Sequence, residues 1–289
     1  MSFQNILFPV DGSDRAVAAA PFVSALARRY GANLTLASFV EIPSVWYGAA
    51  EVPVVPEMNI NRLLEETEHN LTFFAAESFP GLEPKIRVEQ GDPGTCIPHL
   101  ARSIGADLIM MPTRGRGRFR AALLGSVTAK VLHDAECPVW TAAHIETTEY
   151  SVSPEWRKVV CAIDTTPEAA KLIRRAAGLA AESGASVRLV HAIPAPPAAA
   201  QERYFDRDFD IFLKESARKT IDAMQKEIGA SFQVCIGNGD TPTVVAASVL
   251  DYQADLVLAG RGTLPAFAGG LRTHLYGIIR DVACPVLSI

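Results

Sequence analysis

NILFPVDGS at Asn5–Ser13 and KVVCAIDTT at Lys158–Thr166 share one plan: an apolar, β-branched run, a closing aspartate, then a small hydroxyl residue suited to begin a helix. Further matches keep the same order. ADLIMMPTRG from Ala106 pairs with ADLVLAGRG from Ala254, and ECPVW from Glu136 pairs with ACPVLSI from Ala283. The offset stays near 150 positions, which marks duplication of a whole domain, since solenoid units run about 20–50 residues. The chain is therefore divided into residues 1–143 and 156–289. HIETTEYSVSPE at 144–155, polar and carrying one proline, reads as the linker.

Within each half, short apolar runs alternate with helical patterns, the signature of βαβ units and a parallel sheet. Strands are expected at Asn5–Val10, Asn33–Val40, Lys85–Glu89, Leu108–Met111 and Val139–Ala142. Ser13 is placed to cap a helix with Phe22 and Leu26 in its apolar stripe, and Gly31 to end it in the left-handed conformation. In the second half, Thr166 is expected at N-cap, Pro167 at the first helical position, Leu172 and Ile173 against the sheet, and Gly184 at the end. Asp92-Pro93 and Thr241-Pro242 announce the helices after the third strands. The fold class is α/β: two tandem, doubly wound, parallel five-stranded sheets of Rossmann-like type.

A formal charge of −5 argues against general nucleic-acid binding, which needs a basic face. No apolar run approaches the roughly 20 residues of a membrane span, and MSFQNILFPVDGS lacks a basic leader segment, so a cytoplasmic location is expected. Five cysteines without a CxxC spacing read as small buried hydrophobes, and the six histidines as surface or capping residues. Walker A, HExxH and GxSxG motifs are absent.

In open parallel sheets a ligand sits outside the carboxyl ends of the strands, where strand order reverses. That rule selects the loops after the first and fourth strands. The second of these, MPTRGRGRFRAALLGSV, carries Arg114, Arg116, Arg118 and Arg120, with Gly115 and Gly117 between them, before a helix opening at Gly125-Ser126. Backbone amides at such a helix start, with basic residues nearby, suit an anionic group; a solvated basic loop is the alternative. Asp11, closing a buried strand, either meets a ribose hydroxyl or helps to cap the following helix.

These residues together, ILFPVDGS, Gly91-Asp92-Pro93, ADLIMMPTRG, the nine-residue step from Gly115 to Gly125-Ser126-Val127, and CPV, resemble the universal stress protein family. The resemblance spans both halves and implies the adenine nucleotide alpha hydrolase-like fold. The family's nucleotide motif is Gly, two residues, Gly, nine residues, then Gly with Ser or Thr; Pro112 stands in place of its first glycine. What the resemblance implies is ATP, or AMP or ADP, with or without Mg²⁺, bound in the first half. Pro9 and Val10 would flank the base, Asp11 would meet adenine or ribose, and the Val40 backbone would touch adenine. Met111, Pro112, Arg114, Gly115 and Arg116 would line the loop, and Gly115, Gly125, Ser126 and Val127 would hold phosphates. In the second half Ala259 replaces the first motif glycine, and Arg272-Thr273 follow the spacer after Gly262, so that site is read as degenerate.

Glu41–Asn59, with Pro43, Pro53, Pro56, Trp46 and Tyr47, is read as a lid, a partner surface or a packed Ω-loop. By the resemblance, the final strands Val139–Ala142 and Val286–Ile289 pair within the chain, and a homodimer is a further expectation. The functional expectation is a nucleotide-dependent stress regulator or switch rather than an efficient enzyme. Its rivals are an interaction module without nucleotide, and a weak ATPase or autokinase.

Overall fold

In the computed structural model, residues 2–41, 60–113, 124–143, 155–193, 207–261 and 271–289 are described, apart from the side chains of 207, 208 and 271–273. The chain divides into two compact units, one formed within 2–137 and one within 138–289.

The first unit runs β1 (Asn5–Pro9), α1 (Asp14–Tyr30), β2 (Asn33–Val40), α2 (Ile60–Ser78), β3 (Lys85–Gln90), α3 (Pro93–Ser103), β4 (Leu108–Met110) and α4 (Ser126–Asp134). Its sheet is parallel in the order β3-β2-β1-β4, with Ile6 beside both Leu34 and Leu108. The chain moves outward from β1 to β3 and then returns to the other side of β1. The reversal of strand order therefore falls between β1 and β4.

Burial explains the strand choice. Ile6, Leu7, Phe8, Leu108 and Ile109 are wholly inaccessible, and Phe8 packs with Phe74 and Phe79 at centroid distances of 6.5 and 6.2 Å. In α1 the buried stripe is Ala16, Ala19, Ala20, Val23, Leu26 and Ala27; Phe22, expected in it, is only partly buried. Ser13 caps this helix by accepting from the Ala16 amide, and Gly31 ends it at φ 59°.

The second unit contains β5 (Val139–Thr141), β6 (Lys158–Ala162), α5 (Ala169–Ser183), β7 (Ser186–Ile193), α6 (Arg207–Ile228), β8 (Gln233–Asn238), α7 (Thr241–Tyr252), β9 (Leu256–Ala259), α8 (Leu271–Asp281) and β10 (Val286–Ser288). The order is β5-β10-β9-β6-β7-β8. All neighbours are parallel except β5 and β10, which run antiparallel with Thr141 opposite Val286 and Val139 opposite Ser288. The fifth strand of the first sequence repeat thus pairs with the fifth strand of the second, as expected. Within this unit the five strands of the second repeat, β6–β10, are parallel as anticipated, and the reversed strand beside them is β5 of the first repeat. Both hydroxyls on this pair are buried and engaged, Ser288 donating to the Val139 carbonyl at 3.1 Å and Thr141 to the Val286 carbonyl at 3.4 Å.

One expected cap differs. The α5 helix opens at Ala169, not at Pro167. Three successive i→i+3 bonds, from the amides of Ala169, Ala170 and Lys171 to the carbonyls of Thr166, Pro167 and Glu168, form a tighter turn before it. The Thr166 hydroxyl meanwhile donates to Asp164. Gly184 ends the helix at φ 68°, as read.

No disulfide joins the cysteines, and only Cys161 and Cys284 are buried; Cys96, Cys137 and Cys235 are half-buried, against the expectation for all five. Burial raises the Cys161 thiol and pushes Cys284 up to about 12. His69, His99 and His133 lie on the surface, whereas His191 is half-buried with Nδ1 at 3.1 Å from the Ile163 carbonyl. His144 lies outside the described residues. No described helix is long and apolar enough to cross a membrane.

Candidate functional site

Because β1 and β4 are neighbours, the segments leaving their carboxyl ends emerge side by side. Pro9 and Val10 close β1, with Val10 buried and its amide donating to the Ala37 carbonyl at 2.7 Å. Asp11 is exposed, and its Oδ1 accepts from the Ser13 amide at 3.0 Å and the Ser13 hydroxyl at 2.6 Å. Ser13 Oγ in turn accepts from Ala16, so Asp11 takes the capping role of the two alternatives, as an Asx turn that positions the cap.

Val40, at the end of β2, is buried, and its carbonyl accepts from the Gly91 amide at 3.0 Å. The backbone atom expected to meet adenine already has a partner. Gly91 has φ 146°, and a Cβ there would strike Cys96 Sγ at 2.6 Å, so glycine is required both by conformation and by space. The next residue, Asp92, caps α3 through Oδ2, which accepts from the Thr95 amide at 3.1 Å, the Thr95 hydroxyl at 2.6 Å and Lys130 Nζ at 2.8 Å. Lys130 and Thr95 hold the Asp92 carboxyl down at about 2. This network joins the start of α3 to the second turn of α4.

Beyond β4, Met111, Pro112 and Thr113 are buried. Their two following carbonyls are both used by the beginning of α4: Gly125 donates its amide to Thr113 at 2.9 Å, and the Thr128 hydroxyl donates to Pro112 at 3.3 Å. Gly125 is the N-cap at φ −64° and ψ 147°, and no described side chain caps it. The first-turn amides of Ser126, Val127 and Thr128 have no partner within the helix by its geometry. The Gly125 N–H is turned inward to the strand end, and the first-turn amides of this terminus are those of 126–128. Arg114, Gly115 and Arg116, with Gly117, Arg118 and Arg120, lie outside the described residues, as does Glu41–Asn59 beyond its first residue.

The second unit repeats the corner but not the cradle. Asp164 Oδ1 accepts from the Thr166 amide at 2.9 Å and hydroxyl at 2.6 Å, and Gly239 donates to the Ile193 carbonyl at 2.9 Å, matching Asp11–Ser13 and Gly91–Val40. After β9, however, the backbone stays on β10: Arg261 donates to the Ile289 carbonyl at 2.9 Å. The α8 helix runs from Leu271, so by the nine-residue spacing the position of Gly125 is taken by Arg272 inside the helix, with Gly269-Gly270 directly before it in sequence. Gly262 and the side chains of Arg272 and Thr273 lie outside the described residues.

Three contributors were not read as such from the sequence: Thr128, Lys130, and the Asp107/Asp255 pair. Asp107 accepts the Gln4 and Asn5 amides at 2.7 and 3.0 Å, one on each oxygen, and so fixes the start of β1. Asp255 accepts the Arg157 and Lys158 amides at 2.7 and 3.2 Å, both on Oδ2. The repeated Ala-Asp-Leu was the available signal for this pair. No three metal-binding side chains converge among the described residues.

The model of the universal stress protein family matches residues 2–142 and 155–289. A universal stress protein encoded in the QAH/OAS sulfhydrylase 3′ region of Thermus aquaticus is 34% identical over 137 residues, 47% of this chain and 96% of that protein. The Synechocystis universal stress protein Sll1654 is 34% identical over 138 residues, 47% of this chain and 83% of its own length. Over nearly the full length, 98% of this chain and 95% of the other, the structure of a universal stress protein from Archaeoglobus fulgidus superposes with a TM-score of 0.64 at 19% identity, a likeness of fold. With both halves matched, the two-unit architecture observed and the duplicated strand-aspartate-helix corner in place, this chain belongs to the universal stress protein family as a tandem of two family domains.

Proposed function

We propose that the first unit binds an adenine nucleotide, ATP or its AMP and ADP relatives, between the ends of β1 and β4, and that the chain works in the cytoplasm as a nucleotide-dependent stress regulator. The observation that carries this reading is the start of α4: a helix terminus without a side-chain cap, its amides of Ser126, Val127 and Thr128 lying at the reversal of strand order, a few residues past buried β4. Pro9, Val10 and Asp11 supply the adenosine side, with the exposed Asp11 carboxylate able to accept from a ribose hydroxyl beyond its bonds to Ser13. Met111 and Pro112 supply the floor, and Arg114, Gly115 and Arg116 the remaining anion contacts. Magnesium, where it accompanies ATP, would ride on the phosphates. Asp11 sits in an Asx turn at the adenosine end, so no general base is placed for attack at the γ-phosphate, and turnover is expected to be slow.

The second unit is proposed to bind no nucleotide phosphate, because Arg272, inside α8, stands where the nine-residue spacing places Gly125 in the first unit. Titration of the purified chain with ATP by calorimetry, with phosphate release followed in the same sample, tests both statements. One site per chain with negligible release is expected. Gly125→Val, which places branched carbons before the first-turn amides, should lower ATP affinity more than about tenfold. Unchanged affinity would place the site elsewhere, and release abolished by Asp11→Ala would make the protein an ATPase.

A further inference from the structure

We infer that Thr128 is a positioning residue for the phosphate cradle: through the Pro112 carbonyl it sets the depth at which the start of α4 stands, and so the aim of the 126–128 amides. This inference rests on the nucleotide reading above and concerns how the site stays competent despite proline at the first motif position.

Thr128 is 2% exposed, and its hydroxyl lies 3.3 Å from the Pro112 oxygen, sixteen residues earlier. Helical threonine hydroxyls commonly turn back onto the carbonyl four residues before. Here that position, Leu124, precedes the helix, and the hydroxyl reaches the end of β4 instead. Pro112 has no N–H and a fixed φ, so its carbonyl is the group through which this turn can be held by hydrogen bonding. Buried carbonyls need such a partner. With the Gly125 amide on the Thr113 carbonyl at 2.9 Å, two consecutive strand-end carbonyls thus grip the first turn of α4 from below. Lys130 grips it from the side by reaching Asp92 and Thr95 at 2.8 and 2.5 Å. The amides of 126–128 have no partner within the helix.

Among the described residues the second unit shows no matching tie. Counted along the same motif, Leu275 occupies the position of Thr128 and is buried at 3%, and the backbone after β9 is engaged with Ile289 instead. The described hydroxyl tie therefore goes with the half of the chain that has Gly125-Ser126 at the motif position.

The test is calorimetric titration of the full chain with ATP and, separately, adenosine, for wild type, Thr128→Val and Thr128→Ser, with thermal unfolding of each. A residue that aims amides at phosphate should affect ATP and spare adenosine. Thr128→Val, equal in shape, is expected to weaken ATP about tenfold while leaving adenosine within about twofold, and Thr128→Ser to retain wild-type affinity for both. Equal ATP affinity in wild type and the valine variant would overturn the inference while leaving the nucleotide reading intact. A parallel fall for ATP and adenosine would reduce Thr128 to a general structural role and overturn it as well. If the valine variant does not fold, Thr128→Ala is read by the same criteria. Wild-type protein that takes up no ATP would remove the nucleotide reading and this inference with it, an outcome distinct from the other two.

Discussion

The two repeats hold the same helix pair together with opposite parts. In the first, Gly94 on α3 lies beneath Lys130 of α4, such that a Cβ on Gly94 would fall 2.8 Å from Lys130 Cδ. At the matching positions of the second, the small residue has changed sides: Gly277 on α8 lies beneath Pro242 of α7, and a Cβ on Gly277 would fall 3.0 Å from Pro242 Cβ. One glycine is needed at this crossing, and either helix can supply it. The partner differs in consequence. Lysine covers the glycine with a flexible stem and carries an ammonium to Asp92, adding an ion pair beside the proposed cradle; proline only fills space. The same contact thus became a polar clamp in the half with Gly125-Ser126 at the motif position, and an apolar one in the half with Arg272-Thr273 there. Ser248 extends the contrast, for it is 5% exposed with a buried, unpartnered Oγ, where Leu100 fills the corresponding place in the first repeat.

The strongest way to break the comparison is through the paired aspartates. Asp107 uses both oxygens on backbone amides, while Asp255 leaves Oδ1 buried without a partner, and burial raises its pKa above 3.8. Asp107→Ala is expected to cost about 2–3 kcal/mol in urea unfolding, and Asp255→Ala only about 1 kcal/mol, because its desolvation penalty leaves with it. The signs with pH are opposed as well. A raised carboxyl such as Asp255 favours folding below its ordinary pKa, an advantage lost as pH rises through the folded value. Asp92, held at about 2, favours folding above the ordinary range and loses that contribution as pH falls toward 2. Hydrogen exchange followed from pH 6 down to 3 should show the second unit of Asp255→Ala with a flatter profile than wild type. Identical profiles would dismiss the role of burial.

Next in size is the helix crossing. Gly277→Ala meets a rigid ring and should destabilise by about 2 kcal/mol, whereas Gly94→Ala meets a stem that can rotate aside and should stay within about 0.5 kcal/mol. Equal costs would mean that the two crossings are interchangeable. The smallest effect is expected at Lys130. The pair with Asp92 is about half exposed on both sides, so Lys130→Met should lower the urea midpoint only slightly at pH 7 and low salt, and the difference should close in 1 M salt. A salt-independent loss would assign the effect to the stem over Gly94 rather than to the charge.

Much of this was legible before the structure. The strands were plain because buried parallel strands demand uninterrupted apolar runs, and Asn33–Val40 was placed to the residue. Ser13, Gly31 and Asp92 declared themselves through local chemistry, since a cap and the amide it serves lie within three residues of each other. Thr166-Pro167 misled for a related reason: the same residues also suit a turn, and Asp164 drew the hydroxyl away. The hydrogen bonds of the Gly125 amide and the Val40 carbonyl, two residues that the resemblance gave to a ligand, were not legible, because their partners, Thr113 and Gly91, are twelve and fifty-one positions away.

Sequence alone determined the duplication, the order of strands and helices, and the corner at which each first strand yields to its helix, because all of these are written in short-range pattern and repeated twice. Tertiary structure alone decided which of the amides at that corner are spent on the strand ends and which stay without a partner inside the helix. That outcome depends on where a helix terminus meets a strand end, and a distance of a few ångströms between segments far apart in the chain is set only when both are packed on one sheet.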